Sequence, residues 1–403
     1  MLSVLRGVRV LDLTRMVAGP YGAMLLADLG AEVIKIERPG GDEVRGMGPH
    51  FRGDLSVYFA AFHRSKRSMV LDLTRPEGRA VLLDLAAQSD VVIENFRVGV
   101  AERLGCDAVT LHARNPRLIV CGMTGLGRTG PDRMDSAFDL TLQARGGTMS
   151  ITGEPERVPV RMGPPMGDLA GGMFGALAIA AALYERERSG RGHVIDLSLL
   201  DCQVALLGYA ATFALNADQV LGPQGSAHAH AWPYQAFVAS DGPLVIAVFT
   251  DRFWQGFCTA LGDPAKGSDP RYATHAQRRA AQHALLAWIE PTLLSQTVAH
   301  WLALLRQEQV PCAAVQSVDQ VFADPQVKAR AMVAELAQPH GEALFAAGNP
   351  MKIDDSWEHE RHGPVPGLGE HTREVLRQVC AYTEQDIDAL VARGVLGDVA
   401  GSR

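Results

Sequence analysis

The sequence predicts an α/β protein, in which a doubly wound, mostly parallel sheet is followed by a smaller α+β domain. Over roughly the first 125 residues, short apolar strand patterns alternate with helix patterns, the order that parallel sheets require. From about residue 234 to 325 the pattern changes to a hairpin followed by short helices. The 403 residues also exceed what one hydrophobic core usually holds, so two domains are expected.

The individual elements follow from apolar periodicity and from turn residues. Strands are predicted at 8–13, 32–37, 68–73, 90–95 and 117–123, and helices at 21–30, 76–88 and 101–115. Pro76 suits the first position of its helix, because proline lacks the N–H that would be unpaired there. Residues 193–215 are predicted as a strand and then a helix. Asp241-Gly242 predicts a hairpin turn, and the last two helices fall within 369–380 and 384–394.

Composition excludes several classes of protein. The net charge of −7 argues against a general nucleic-acid binder. The six cysteines are far apart and form no CxxC pair, so reduced thiols in a cytoplasmic protein are expected rather than disulfides or a metal site. The N-terminus lacks a secretory signal pattern, and the apolar run 175–184 is too short to span a bilayer. We therefore expect no metal, no nucleic acid and no membrane partner.

The first strand–helix unit resembles the start of a dinucleotide site, and Glu37 falls where an acid would bind a ribose. The G-x-G-x-x-G fingerprint is absent, however, because the turn reads "TRMVAGPYG". Eleven lysine and arginine residues lie between 35 and 103, and three of them stand in "FHRSKRSMVLDL". They fit either a polyphosphorylated ligand or a solvated surface with counter-charges.

Asp168 stands alone in the apolar stretch "PPMGDLAGGMFGALAIAAALY" (164–184). One interpretation is a helix cap, in which its side chain accepts N–H groups of the first helical turn. The other is a reactive carboxylate that the glycines around it leave accessible to a large ligand. The residue pattern at this position fits both.

Several segments together resemble one known family. These are "VRVLDLTRMVAGP", "DLGAEVIKIERPGGDEVR", "NFRVGVAERLG", "GMTGLGRTGP", "GDLAGGMFGALAIAAALYERERSGRGHVIDLSLLD" and "GLGEHTREVL". The chain is similar to the class III CoA-transferases, a family that also holds formyl-CoA:oxalate and carnitine CoA-transferases and α-methylacyl-CoA racemases. The resemblance extends from about residue 5 to 395.

The resemblance implies a fold and an assembly. It implies a Rossmann-like large domain (1–216), a linker (217–233), a small domain (234–325), a second linker (326–350) and a C-terminal segment (351–403) that returns to the large domain. It further implies a homodimer in which two such chains are threaded through each other as interlocked rings.

The resemblance also implies site residues. The catalytic nucleophile falls on Asp168. The loop Arg15, Met16, Val17 and Ala18, together with Gly167, lies at the reacting thioester. Coenzyme A (CoA) contacts fall on Arg38, Leu71, Asp72, Leu73, Thr74, Asn95, Phe96, Arg97, Arg103, Thr124 and Gly125.

The implied activity is transfer of CoA from an acyl-CoA, such as succinyl-CoA, to a small dicarboxylic acid through a mixed anhydride and an aspartyl-CoA thioester. CoA and its esters are then substrates, and no cofactor is held permanently. Val17 replaces the glutamine of the oxalate enzymes, so only its backbone N–H could assist. The glycine-rich flap of those enzymes is not evident in this sequence, which argues against oxalate as the acceptor. Arg15 is a candidate for the distal carboxylate, with a structural ion pair as the equal alternative. His228 and His230 are further candidates for substrate contacts.

Two alternative functions remain at this point. One is a racemase, which the family contains, but Phe138 stands where its proton-carrying histidine would be, and phenylalanine cannot carry a proton. The other is a CoA-binding protein without turnover. The transferase is the favoured hypothesis.

Overall fold

The structure is a computed structural model that describes residues 2–336, 338, 343–354 and 362–397. The chain divides into two compact units. The first contains the residues up to Thr148, Met162–Gly208 and the chain from Pro325 onward, and the second contains Met149–Arg161 and Tyr209–Asp324. Residues 149–161 and 209–216, which the resemblance assigned to the large domain, therefore belong to the second unit. Part of the predicted linker 326–350 and part of the segment 351–403 lie outside the described residues.

The described strands are β1 Arg9–Asp12, β2 Glu32–Glu37, β3 Phe51–Arg52, β4 Leu55–Ser56, β5 Lys66–Val70, β6 Val91–Glu94, β7 Ile119–Thr124, β8 Val194–Ser198, β9 Tyr234–Ala239, β10 Gly242–Ala247, β11 Cys312–Ala314, β12 Val333–Leu336 and β13 Leu344–Ala347.

The described α-helices are α1 Ala18–Asp28, α2 Val57–His63, α3 Pro76–Ala87, α4 Val100–Leu104, α5 Ala108–Arg114, α6 Asp139–Arg145, α7 Met166–Ser189, α8 Leu199–Leu206, α9 Tyr209–Asn216, α10 Asp251–Ala260, α11 Pro264–Gly267, α12 His275–Ala280, α13 Gln282–Leu294, α14 Val298–Gln307, α15 Val318–Ala323, α16 Pro325–Ala329, α17 Thr372–Cys380 and α18 Glu384–Ala392.

The first unit is built on a six-stranded sheet in the order β5-β2-β1-β6-β7-β8, and all of its strand pairs are parallel. The predicted α/β class with a parallel central sheet is confirmed. The order reverses between β1 and β6, since β2 follows β1 on one side and β6 lies on the other. In open α/β sheets, ligands bind at such a reversal, outside the carboxyl ends of the strands.

Both faces of this sheet are covered, which explains the nearly continuous apolar strand sequences. Leu11 and Ile34 pack on one face in a core that also contains residues of α3, α5, α17 and α18. The preceding residues, Val10 and Val33, pack on the other face with α1 and α7. A strand places successive side chains on opposite faces, so each pair serves both cores.

The second unit has its own core around the antiparallel sheet β11-β10-β9. Trp232, Trp254, Phe257 and Trp301 are buried in it with apolar residues of the sheet and the helices. The predicted hairpin is present, but Gly242 pairs with Ala239, so the two turn residues are Ser240 and Asp241 rather than Asp241-Gly242.

Three predicted elements differ from the structure. The helix expected over 101–115 is two helices, because Gly105 ends α4 with a φ of +69° and Asp107 caps α5. The helix expected up to 215 breaks at Gly208, whose φ is +54°, so α8 ends at Leu206 and α9 begins at Tyr209. The strand expected at 68–73 is β5, Lys66–Val70, and Leu71 beyond it forms an isolated antiparallel bridge with Leu396.

Helix α7 is longer than the apolar run 175–184 indicates. Its 24 residues are enough, by length and composition, to cross a membrane, so the prediction based on length was wrong. Half of its most apolar window is buried inside the protein, and its buried residues join the core shared with α1. Core helices of soluble proteins have these same properties.

Candidate active site

A cleft of about 230 Å³ lies at the carboxyl ends of four strands of the first unit. Leu13 and Thr14 follow β1, Arg38 follows β2, Leu71 follows β5 and Phe96 follows β6. The cleft therefore occupies the edge of the sheet at which parallel strands place their ligands. The predicted contact residues that line it are Arg15, Arg38, Leu71, Asp72, Leu73, Thr74, Phe96 and Arg103.

Two neighbouring predictions have other surroundings. Asn95 joins two loops, since its side chain accepts the Arg15 N–H at 2.9 Å and donates to the Arg15 carbonyl oxygen at 2.8 Å. This reciprocal pair fixes the loop after β1 to the loop after β6. Arg97 is exposed and is not one of the residues that line the cleft.

Most of the lysine and arginine side chains singled out in the sequence form ion pairs or hydrogen bonds with other residues of the protein. Nε and one terminal nitrogen of Arg64 donate to the two carboxylate oxygens of Asp28. Lys66 lies 2.9 Å from Asp12, and both of these side chains are fully buried. Arg67 lies 2.5 Å from Glu32. The cations of "FHRSKRSMVLDL" are therefore structural, and neither a polyphosphate site nor a solvated surface describes them.

Glu37, the acid that falls where a ribose would bind, is also engaged by other residues of the protein. Arg45 binds both oxygens of Glu37 at 2.7 Å, and the Ser68 hydroxyl donates to the same carboxylate at 2.7 Å. Glu37 lines the cleft, but its carboxylate has no free oxygen for a ribose hydroxyl.

Asp168 is the third residue of α7, and its side chain does not cap the helix. Pro165 occupies the capping position without a side-chain hydrogen bond. The orphan N–H groups are met by Asp139, the first residue of α6, whose Oδ1 accepts from Gly167 at 2.8 Å and from Asp168 at 3.4 Å. Among the described residues no donor contacts the Asp168 carboxylate. The cap interpretation of Asp168 is therefore wrong, because a carboxylate from another helix fills that role.

Burial, and to a smaller extent the nearby Asp139 carboxylate, together raise the pKa of Asp168 to about 7. The N-terminal end of a helix by itself favours the ionised form of a carboxylate, and here burial and Asp139 outweigh that effect. At neutral pH the group is poised between its two forms. Perturbed carboxylates in partly buried positions are characteristic of catalytic sites.

The glycines after Asp168 serve helix packing. A Cβ on Gly172 would lie 2.7 Å from the Ala18 carbonyl oxygen, and one on Gly22 would lie 2.9 Å from the Gly172 carbonyl oxygen. A Cβ on Gly171 would lie 2.1 Å from the Leu199 side chain. The glycines allow α1 to touch α7, so the expectation that they clear space for a ligand was wrong. Close packing instead brings the start of α1 beside the turn that follows Asp168.

The start of α1 carries the predicted residues Val17 and Ala18. Both side chains are buried, and within the described part of the chain neither backbone N–H has an acceptor. Met16 precedes them with a φ of +69°, a strained conformation for a side chain of this size. Both α1 and α7 connect parallel strands, so both begin at the carboxyl edge of the sheet. Free N–H groups and a free carboxylate therefore lie at the same edge.

The remaining predicted site residues lie in different parts of the fold. Thr124 ends β7, and its buried hydroxyl has no partner among the described residues. Gly125 has no room for a side chain, since a Cβ would lie 2.5 Å from the Ala137 Cβ. Gly167 is buried, and its N–H is used by Asp139. His228 belongs to the second unit, where its Nδ1 accepts the Ala231 N–H at 3.0 Å.

Sequence reasoning missed two acidic residues. Asp139 lies 28 positions from Gly167 along the chain, and nothing in the sequence links them. Glu43 lies 2.9 Å from both Arg15 and Arg38. The one signal for Asp139 in the sequence is its place in "DSAFDLTLQARGG", directly after Phe138, which stands where the racemases have their histidine.

The sequence matches the profile of CoA-transferase family III over residues 5–372. It is 36% identical to succinyl-CoA:glutarate CoA-transferase of Mus musculus over 98% of this chain and 91% of that protein. It is 38% identical to acetyl-CoA:oxalate CoA-transferase of Acetobacter aceti over 93% of this chain and 95% of that protein.

A solved structure agrees with the sequence comparison. The crystal structure of a CAIB/BAIF family protein from Brucella suis superimposes with a TM-score of 0.83 at 36% identity, covering 94% of this chain and all of that one.

Proposed function

The chain belongs to CoA-transferase family III, and from this premise we propose that it transfers CoA from an acyl-CoA to a small dicarboxylic acid by covalent catalysis on Asp168. Succinyl-CoA is the first candidate for the donor. The observation that carries the proposal is the free, partly buried Asp168 carboxylate with a pKa of about 7. The resemblance placed the nucleophile at this residue, and the capping by Asp139 leaves its oxygens unengaged.

The chemistry proceeds in balanced steps. The Asp168 carboxylate attacks the thioester carbonyl, and CoA leaves as a thiolate, so a mixed anhydride forms. The thiolate then attacks the aspartyl carbonyl of the anhydride, which releases the first acid and leaves an aspartyl-CoA thioester. The acceptor carboxylate attacks that thioester, and the freed thiolate attacks the new acyl carbonyl. These steps return Asp168 and release the new CoA ester, with the activated bond conserved throughout.

The environment of Asp168 suits these steps. Each attack places negative charge on a carbonyl oxygen, and the N–H groups of Val17 and Ala18, at the start of a helix, have no acceptor among the described residues. Burial of the carboxylate limits the access of water, which would hydrolyse the anhydride. The cleft lined by Arg15, Arg38 and Arg103 suits the phosphates of CoA, because guanidinium groups bind phosphate oxygens in pairs.

The dicarboxylate preference rests on the relatives, whose names specify glutarate and oxalate as acceptors. Phe138 argues against a racemase, because it is exposed and cannot carry a proton. His228 remains a candidate for contact with the acid. Its Nδ1 accepts backbone N–H groups, so its Nε2 carries the proton and can donate.

We further propose the interlocked homodimer with a Rossmann-like large domain. The strand order of the first unit supports that domain. Helix α7 exposes Met173, Leu177 and Tyr184, with Leu177 65% accessible, and such apolar stripes mark protein interfaces. Light scattering should give a dimer for the native chain. Because interlocked rings cannot separate without unfolding, this dimer should persist on dilution, and a stable, active monomer would contradict the proposal.

A trapping experiment tests the covalent step. Incubation with succinyl-CoA should add the mass of CoA to the peptide that carries Asp168, and hydroxylamine should convert that side chain to a hydroxamate. A panel of free mono- and dicarboxylic acids, with the CoA-ester products identified by mass, tests the acceptor. An Asp168 peptide that stays unmodified during turnover would contradict the mechanism.

A further inference from the structure

A single carboxylate oxygen holds two of the cleft's cations. Oε1 of Glu43 lies 2.9 Å from a terminal nitrogen of Arg15 and 2.9 Å from a terminal nitrogen of Arg38. Both arginines line the cleft. The oxygen therefore sits between two guanidinium groups, the position that an oxygen of a bound phosphate would take.

The fold does not depend on this contact. The Glu43 side chain is 43% accessible, and exposed ion pairs contribute little to stability. The short 3₁₀ turn Glu43–Gly46 is held by other groups, since the Asp42 side chain accepts the Val44 N–H and Arg45 binds Glu37 with both ends. Removing the Glu43 charge should leave the turn in place.

The other cations of the cleft differ from this pair. The side chain of Arg103 has no ionic or hydrogen-bonding partner in the described part of the chain, so it is free to meet a ligand. Lys35 is fully buried and is bound to Asp42 at 3.1 Å and to the Thr14 carbonyl oxygen at 2.8 Å. Among the cleft's cations, Arg15 and Arg38 are the accessible pair whose charge is offset by one shared carboxylate, that of Glu43.

We propose that Glu43 stands in for a phosphate of CoA when the cleft is empty and thereby sets how tightly the protein holds CoA and its esters. The inference rests on the proposed function, because it assumes that CoA occupies this cleft. A bound phosphate must displace the Glu43 carboxylate or share the arginines with it, and like charges at this distance repel. Glu43 is thus an affinity-determining residue that weakens binding and speeds the release of the product ester.

The test compares Glu43→Gln with the native chain by calorimetric titration of CoA, dephospho-CoA and adenosine at two salt concentrations. The variant should bind CoA about tenfold more tightly, which corresponds to the loss of one close unfavourable charge. Binding of adenosine should not change, and the gain should shrink at high salt. In turnover, KM for the acyl-CoA should fall, and kcat should fall with it where release limits the rate.

Glu77→Gln is the matched control. Glu77 is a similarly accessible glutamate that pairs with Arg393 at 3.3 Å outside the cleft, so its replacement should leave CoA affinity unchanged. Glu43→Ala provides a second variant without the charge. In the double variant with Arg38→Ala the gain should disappear.

Two failures are distinguishable. If the native chain binds CoA and neither Glu43 variant binds it more tightly, the role of Glu43 is wrong while the proposed transferase stands. If the native chain does not bind CoA at all, the proposed function itself fails.

Discussion

Asp139 caps the helix that carries Asp168: Oδ1 of Asp139 accepts the Gly167 N–H at 2.8 Å, one residue before Asp168. The two acidic residues come from different helices. Asp139 accepts the unpaired N–H groups at the start of α7, so the oxygens of Asp168 are not needed as a cap. The proximity of the two carboxylates also contributes to the raised pKa of Asp168.

Asp168→Asn should lower turnover by about 10⁴-fold or more, because an amide cannot form the anhydride or the thioester. The protein should remain folded and should still bind CoA, since the Asp168 carboxylate accepts no hydrogen bond from the described residues. Asp107→Asn is the control: Asp107 is a true cap of α5, and asparagine caps as well as aspartate does. An active Asp168→Asn variant would remove Asp168 from the mechanism.

The acid limb of kcat/KM should lie near pH 7 in the native protein, because the nucleophile must be ionised and the pKa of Asp168 is raised to about 7. Asp139→Asn keeps a capping oxygen but removes the neighbouring charge, so the limb should move to lower pH. Asp139→Ala should move it too and should also lower the free energy of unfolding by about 1 kcal/mol through the lost cap. A limb that stays in place in both variants would show that Asp139 does not act on Asp168.

The same raised pKa makes a prediction for stability. The folded pKa of about 7 lies above the ordinary aspartate pKa of 3.8, so the folded state binds more protons between these values and loses stability as pH rises toward 7. Asp168→Asn removes this cost. Its melting temperature should exceed that of the native protein by about 2 °C or more at pH 8, with a smaller difference at pH 5. Thermal melts at the two pH values check this, and an equal difference at both would contradict it.

Arg15→Ala should weaken use of the acyl-CoA rather than discriminate between acids. Arg15 lines the cleft with Arg38 and binds Glu43, so under the proposed function we expect it to contact CoA. We expect KM for the acyl-CoA to rise about tenfold, on the scale of a lost charge-assisted hydrogen bond, with mono- and dicarboxylic acceptors affected alike. A selective loss of dicarboxylate use would instead return Arg15 to the distal carboxylate of the acid. Arg117→Ala, at an exposed ion pair with Glu187, is a suitable control.

Local sequence predicted the sheet well where one pattern dominates. The strand at 32–37 has the predicted bounds, because its apolar residues Val33, Ile34 and Ile36 serve both faces of the sheet and both faces are covered. It failed where a single residue changes the chain direction. Gly105 and Gly208 each divide an apolar helix pattern that looks uninterrupted, since a positive φ ends a helix whatever the periodicity around it.

The sequence by itself determined the α/β class, the family and the identity of Asp168 as the residue to examine, because these depend on local periodicity and on motifs of adjacent residues. Tertiary structure alone decided which charges are free. Arg64 is bound to Asp28 across 36 positions and Asp139 reaches Gly167 across 28, so no local pattern shows that the first is consumed or that the second caps the helix. Charge pairing acts through space and is strongest where burial removes water, and burial is a property of the folded chain.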